Sequence, residues 1–231
     1  RPVVIYVHGW ANHNDKIHKR CRRIADAYQV NVLGYAWPSR GGYQEQQGKA
    51  RQSLPSFKKM LDGLWAAQAA HVGGPVTLVT HSMGNQLMKA YADDPESATH
   101  RSKMARHVLM AADMLWSTHA TWTPPLSAND KLWVFYNDQD WVLGDAERLF
   151  GPDERRVGRG DNAHADPAGH YVDVSATKGV GSWHSYFQSQ PIKSNSRLKQ
   201  IMREVFRATS VSTTGLQSSP APVPCGSLLV P

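Results

Sequence analysis

Short apolar runs alternate with longer stretches of mixed polarity along most of this chain. Residues 3–7 are apolar and mainly β-branched, which is typical of a strand buried on both faces of a parallel sheet. Similar strand patterns follow at 30–37, 76–80, 108–111 and 131–136, and an alternation typical of an edge strand at 170–174. The pattern therefore predicts a sheet whose strands are well separated in the sequence.

Between these strands, apolar residues recur at helical spacing. They predict helices at 15–28, 45–70, 83–92, 146–150 and 194–208. Pro55 lies inside the second pattern and predicts a kink or a split, because proline cannot donate the helix hydrogen bond. Strands alternating with helices predict the α/β class, as a three-layer sandwich around a mostly parallel central sheet.

The length of 231 residues predicts one domain. Residues 1–208 carry all the predicted elements and form the expected catalytic domain. Residues 209–231 are rich in Ser, Thr and Pro, which predicts a tail that is disordered or crosses the surface without a fold of its own. Residues 113–130 and 155–167 are predicted as loops.

Composition excludes several other classes of protein. Hydrophobic residues make up 41% and charged residues 19%, as in an ordinary soluble globular protein, and no apolar run approaches the ~20 residues of a membrane helix. The net charge of +7 is scattered, so we expect a solvated surface and no nucleic-acid partner. Cys21 and Cys225 show no zinc-site spacing, and neither the compartment nor the oligomeric state can be predicted.

The strongest chemical pattern is Thr80-His81-Ser82-Met83-Gly84, placed between a predicted buried strand and a predicted helix. A serine on such a tight turn is forced outward as a nucleophile, and the small residue two positions later allows close packing. The N–H of Met83, at the start of the helix, would donate to an oxyanion. The alternative is that Ser82 only caps the helix.

The first strand ends at His8-Gly9-Trp10. A loop at this end of the sheet can lie beside the nucleophile turn, and Gly9 would let the backbone approach closely. The N–H of Trp10 or of Ala11 would then be the second oxyanion donor. The alternative is an ordinary turn that buries an aromatic side chain.

Acidic and histidine candidates follow later strands. The acid candidates are Asp113, after the strand at 108–111, and Asp138 and Asp140, after the strand at 131–136. The histidine candidates are His164, His170 and His184. We expect His81, which precedes the serine, to pack beneath the turn. Such a histidine would act as the general base toward the serine, and the acid would fix the tautomer of the histidine.

These segments together resemble the α/β-hydrolase superfamily, in a bacterial serine esterase/lipase-like branch. The matching segments are VVIYVHGWAN, YAWPSRGG, VTLVTHSMGN, FYNDQDWVL and GSWHSYF, and the resemblance spans residues 3–206. Thr80 stands where the usual motif has glycine. The resemblance also implies that the chain begins at the third strand of the superfamily, with no inserted cap domain and residues 115–126 as the only candidate lid.

The resemblance implies a serine hydrolase that cleaves carboxylic esters of small molecules through an acyl-enzyme, without a cofactor. Ser82 would be the nucleophile and His184 the base. Asp140 would be the acid, because Trp141-Val142-Leu143 resembles the stretch that follows the acid in this branch. The alternatives are a thioesterase, amidase or acyltransferase with the same triad, or a non-catalytic binding module of the same fold.

Two further sets of residues have competing interpretations. Trp116, Trp122 and Leu126 would line an apolar substrate pocket, or else belong to a segment that faces the core. Loop carboxylates and histidines without tight spacing are usually solvated, so we expect no metal site among the remaining candidates. These candidates are Asp161, His164, Asp166 and His170.

Overall fold

Six parallel strands in the order β2-β1-β3-β4-β5-β6 form the centre of the fold. The computed structural model describes residues 1–12, 14–70, 73–150, 155–160, 165–188, 193–212, 217–218 and 228–229. The strands are β1 Val3–Val7, β2 Asn31–Tyr35, β3 Val76–His81, β4 Arg106–Met110, β5 Leu132–Tyr136 and β6 His170–Asp173. The prediction of a mostly parallel α/β sandwich is confirmed.

Helices cover both faces of this sheet. Among the described residues they are α1 Asn14–Tyr28, α2 Tyr43–Gln52, α3 Leu54–Ala70, α4 Asn85–Asp93, α5 Ala98–Lys103, α6 His119–Trp122, α7 Pro124–Ser127, α8 Trp141–Phe150 and α9 Ser196–Phe206. No helix in the described ranges is both long and apolar enough to cross a membrane.

Strand β1 shows how one apolar run serves two cores. Its successive side chains point to opposite faces, as the pleat of a strand requires. Ile5 and Val7 belong to the core beneath α3 and α4, which includes Phe57. Val4 and Tyr6 belong to the core beneath α1 and α9. A run without polar residues is therefore what a strand covered on both faces needs.

The split predicted at Pro55 is confirmed, since α2 ends at Gln52 and α3 begins at Leu54. The side chain of Ser53 between them donates to the carbonyl of Ala50. Pro55 then lies in the first turn of α3, where a missing N–H costs nothing. The predicted helix at 45–70 is thus two consecutive helices.

The prediction of a loop at 113–130 is wrong. A 3-10 helix at Trp116–Thr118 and the short helices α6 and α7 occupy most of it. Proline commonly marks loops and turns, but Pro124 starts α7, where proline is favoured. The helix predicted at 146–150 begins earlier, at Trp141, and α5 was not predicted.

The C-terminal segment at 209–231 lies mainly outside the described residues. Where it is described, Leu228–Leu229 pairs parallel with β6, and Gln217–Ser218 pairs antiparallel with Leu228–Leu229. We label these two short strands β7 (Gln217–Ser218) and β8 (Leu228–Leu229). Because most of the segment lies outside the described residues, the tail without a fold of its own stays a prediction.

The core beneath α3 provides a test of the packing. Phe57 is fully buried, and its ring packs edge-on against Tyr35 and Tyr91, with centroids 5.0 and 5.8 Å away. We expect Phe57→Ala to lower the free energy of unfolding by about 3–5 kcal/mol, measured by urea denaturation. The control, Leu149→Ala at a side chain that is 72% exposed, should change it by no more than about 0.5 kcal/mol. Equal effects of the two variants would contradict this packing.

Candidate functional site

Ser82 lies on a tight turn directly after β3. Its φ of +54° is in the left-handed region, which residues with a side chain rarely adopt, and its side chain is almost entirely buried. A 3-10 helix at Ser82–Gly84 follows and leads into α4. Strain of this kind at a single polar residue is typical of functional turns.

Two glycines fit this turn against the loop that follows β1. A Cβ on Gly84 would lie 2.5 Å from the carbonyl oxygen of His8, and a Cβ on Gly9 would lie 2.7 Å from the Cβ of Ser82. Both distances are shorter than real contacts, so only glycine fits at either position. The predicted approach of residues 8–10 to the turn is therefore present.

Thr80, which replaces the first glycine of the usual motif, supports the turn. Its hydroxyl donates to the side-chain oxygen of Asn85 at 2.6 Å, and the amide nitrogen of Asn85 donates to the carbonyl of Ser82 at 2.9 Å. Both side chains are buried. The larger residue thus contributes a hydrogen bond where glycine would contribute only space.

The partly buried His184 pairs with the fully buried Asp140. The Nδ1 of His184 lies 2.7 Å from Oδ2 of Asp140. Oδ1 of the same carboxylate accepts from the N–H groups of Val142 and Leu143, at 3.0 and 3.2 Å. Asp140 therefore caps α8 and orients His184 at the same time.

His184 also contacts the turn that carries Ser82. The rings of His81 and His184 have centroids 4.7 Å apart, and Nε2 of His81 lies 3.2 Å from the carbonyl oxygen of His184. The residue before Ser82 thus packs against His184. The structure brings the three predicted residues to the same end of the sheet.

The rival candidates lie in other environments. The carboxylate of Asp113 accepts from the hydroxyl of Tyr43 and lies 3.5 Å from Nε of Arg156. Asp138 is exposed. His170 stacks on Trp133, with centroids 4.3 Å apart, and His164 lies outside the described residues.

The loop after β1 carries the two N–H groups predicted as oxyanion donors, those of Trp10 and Ala11. The N–H of Ala11 donates to the carbonyl of Ser39 at 3.2 Å, so it is engaged elsewhere. The carbonyl of Gly9 lies 2.7 Å from Nδ1 of His8 and accepts from the amide of Asn12 at 3.0 Å. These two contacts fix the peptide that joins Gly9 to Trp10. On the other side of Ser82, Met83 is at the start of a helix, where N–H groups lack helical partners.

Residues 1–202 match the family model described as alpha/beta hydrolase of unknown function, DUF900. The chain belongs to this alpha/beta hydrolase family. No curated protein matches this alpha/beta hydrolase.

Several solved structures are similar to this alpha/beta hydrolase at low identity. An uncharacterized protein from Bacillus cereus ATCC 10987 is 12% identical, with a TM-score of 0.48, over 88% of this chain and 59% of that one. A protein from Xanthomonas campestris pv. campestris, described as belonging to the alpha/beta superfamily of hydrolases, is 16% identical, with a TM-score of 0.41, over 90% and 96%. An acetylxylan esterase is 12% identical, with a TM-score of 0.40, over 89% and 92%. This chain thus spans less than two thirds of the Bacillus cereus protein.

Trp116, Trp122 and Leu126, predicted as pocket residues, lie in the core of this hydrolase. All three are less than 5% exposed and belong to the core beneath α3 and α4. The prediction that they line a substrate pocket is therefore not supported. Their apolar faces pack inward because α6 and α7 fold that segment onto the core.

The described residues contain no group of three or more His, Cys, Asp or Glu that could hold a metal ion. Two of the four residues that could be interpreted from the sequence as metal ligands, Asp161 and His164, lie outside the described ranges. Asp166 is buried, and its backbone N–H donates to the hydroxyl of Tyr171.

Two groups of residues near the site were missed by sequence reasoning. Tyr43 and Arg156 hold Asp113, and they come from α2 and from the segment before a 3-10 helix. In the second group, the side chain of Arg20 in α1 donates to the side chains of Ser185 and Gln188, both of which follow His184 in the sequence. No motif joins these positions, because only the tertiary fold brings them together.

Three tryptophans of the hydrolase are exposed beside the site residues. Trp10 follows Gly9, Trp141 follows Asp140 and Trp183 precedes His184, and their exposed fractions are 43%, 59% and 51%. Trp10 is held by a hydrogen bond from its ring N–H to the carbonyl of Gly41 and by an edge contact with Tyr43.

Four buried histidines are held neutral in this hydrolase. Burial lowers the pKa of His8 to about 4 and the pKa values of His107 and His119 to about 3. Burial also lowers the pKa of His81 well below its usual range, and the nearby His184 adds to this effect. In the neutral His8, Nε2 accepts from the N–H of Trp37 at 3.2 Å, so Nδ1 carries the proton toward Gly9.

These histidines predict a loss of stability in mild acid. Below about pH 6.5 the unfolded chain binds protons at these histidines and the folded chain does not. The free energy of unfolding therefore decreases as the pH is lowered, until the pH reaches the pKa of the folded state. The raised pKa of Asp113, caused by its burial, works in the opposite direction and offsets part of this loss. We expect each histidine with a folded pKa near 3–4 to contribute a drop of about 2 kcal/mol between about pH 7.5 and pH 5.

The measurement is urea denaturation at a series of pH values, on the parent and on His107→Gln. The glutamine keeps a donor for the carbonyl of Leu126, to which Nδ1 of His107 is close, and does not titrate. Between about pH 7.5 and pH 5, the free energy of unfolding of His107→Gln should decrease by about 2 kcal/mol less than that of the parent. Identical drops in the two proteins would mean that His107 is not held neutral.

Proposed function

We propose that this alpha/beta hydrolase cleaves carboxylic esters through an acyl-enzyme formed on Ser82. The observation that carries the proposal is the strained turn at Ser82, packed against Gly9 and beside the His184–Asp140 pair. The nucleophile, the base and the acid come from three separate loops at the same end of the sheet. A serine that only caps a helix would need neither partner.

In the proposed reaction, the hydroxyl oxygen of Ser82 attacks the ester carbonyl while Nε2 of His184 takes its proton. The imidazole is held for this role because its Nδ1 faces Asp140. The C–O bond to the alcohol then breaks, and His184 gives the proton to the leaving oxygen. Water attacks the acyl-enzyme with His184 again as base, and the acid leaves as Ser82 regains its proton.

The oxyanion of each tetrahedral intermediate would be held by the N–H groups of Met83 and Trp10. A peptide is planar, with its carbonyl and its N–H pointing in opposite directions. Because His8 and Asn12 hold the carbonyl of Gly9, the N–H of Trp10 in the same peptide points away from them. Gly9 contacts Ser82, so this donor lies beside the nucleophile.

Hydrolysis of p-nitrophenyl butyrate tests the nucleophile. We expect the parent to hydrolyse this ester and to be labelled by a fluorophosphonate. Ser82→Ala should not be labelled, and its kcat/KM should be lower by a factor of at least about 10³. Ser102→Ala, at an exposed serine of α5, is the matched control and should behave as the parent. A folded parent that neither hydrolyses an ester nor takes the label would favour a non-catalytic binding module instead.

The two buried acids give opposite expectations. Asp140→Asn should lower kcat by a factor on the order of 10³–10⁴, because the amide no longer fixes the tautomer and charge of His184. Asp113→Asn should lower kcat by less than about tenfold and act mainly on the thermal midpoint, because it removes the negative charge that lies beside the buried Arg156. Reversal of the two effects on kcat would assign the acid role to Asp113.

A further inference from the structure

A cavity of about 360 Å³ opens beside the candidate site, between α2, α4 and the segment that follows β4. The described residues that line it include three cations, Arg51, Lys89 and Arg156. Two amides, Gln47 and Gln86, also face it, and none of its described lining residues is acidic. We call this cavity the cationic pocket.

The cationic pocket adjoins the turn that carries Ser82. Asp113 donates its N–H to the carbonyl of Ser82 at 3.3 Å, and the next residue, Met114, lines the pocket. Gln86 lies four residues after Ser82, and its amide donates to the carbonyl of Asp113 at 3.4 Å. Residues 82–84 form a 3-10 helix and α4 begins at Asn85, so the backbones of Ser82 and Gln86 are roughly 7 Å apart along the helix axes.

The charges around the pocket do not cancel. Nε of the buried Arg156 lies 3.5 Å from Asp113, and Lys89 pairs with Asp93 in a partly exposed contact. Arg51, by contrast, donates at 2.7 Å to the neutral amide oxygen of Gln86. The amide of Gln86 carries no charge, so this hydrogen bond holds the guanidinium of Arg51 at the pocket without neutralising its positive charge. A concave surface of one sign attracts ligands of the other sign.

We propose that the substrate is an anionic ester, whose carboxylate or phosphate binds in the cationic pocket while its scissile carbonyl lies at Ser82. The inference rests on the proposed function. A guanidinium with amide donors beside it is suited to an anionic oxygen group, since charge-assisted hydrogen bonds are the stronger kind.

The first experiment compares two esters with the same leaving group, mono-4-nitrophenyl glutarate and 4-nitrophenyl butyrate. We expect kcat/KM of the parent to favour the glutarate by about tenfold or more at low salt, and added salt to reduce the ratio. Arg51→Gln should lower this ratio by about tenfold, mainly through KM, and Arg51→Glu should invert it. Arg148→Gln, an exposed arginine of α8 paired with Asp145, is the control and should keep the parent ratio.

A second substrate pair tells on which side of the ester the anion lies. The butyryl ester of 3-hydroxypropanoate and butyl butyrate share the acyl group, and only the first has a carboxylate on the leaving group. A preference for the hydroxypropanoate ester that Arg51→Gln removes would place the anion on the leaving group. A preference confined to the glutarate would place it on the acyl chain.

The two proposals fail in different ways. If both neutral and anionic substrates react equally and Arg51→Glu changes nothing, the cationic pocket has no role and the esterase proposal stands. If no substrate reacts and Ser82 takes no fluorophosphonate, the esterase proposal falls, and calorimetric titration with glutarate and inorganic phosphate still tests the pocket. Binding that Arg51→Glu abolishes would support an anion site, and no binding to the parent would overturn it.

Discussion

The close contact between two backbone segments, the turn at Ser82 and the loop after β1, is the constraint on which the rest of the structure depends. Gly84 meets the carbonyl of His8, and Gly9 meets Ser82, both at distances that exclude a Cβ. Neither a backbone carbonyl nor a Cβ can move aside by changing rotamer, so neither contact can be relieved locally. The parallel register that pairs Val7 with Thr80 brings the ends of β1 and β3 level and makes this contact possible.

Around that contact, polar groups are buried in a neutral state and hold peptides in place. His8 stacks on Trp37 and is fixed at both ring nitrogens, so it orients a carbonyl without carrying charge. Thr80 and Asn85 do the same for the carbonyl of Ser82. Charge is kept for groups with a partner, such as Arg156 beside Asp113. These hydrogen bonds fix the peptides on both sides of the contact and stiffen the site.

Local patterns predicted the features that depend on neighbours in sequence. The strand before Ser82, the glycine two residues after it and the proline in the first turn of α3 are of this kind. The position of Trp116 and Trp122 was not predictable, because an apolar side chain in an irregular segment can face a pocket or a core. The contacts of Asp113 with Tyr43 and Arg156 join elements about 40 to 70 residues apart, and no spacing rule connects them.

The exposed tryptophans beside the site have a practical consequence for spectroscopy. Trp10, Trp141 and Trp183 are each adjacent in sequence to a residue of the candidate site, whereas Trp37, Trp116, Trp122 and Trp133 are buried and Trp65 is half-buried. Indole emission depends on contact with water, so the most red-shifted part of the intrinsic fluorescence comes mainly from the three exposed rings beside the site. The protein therefore carries a native optical reporter, readable by collisional quenching without an attached dye.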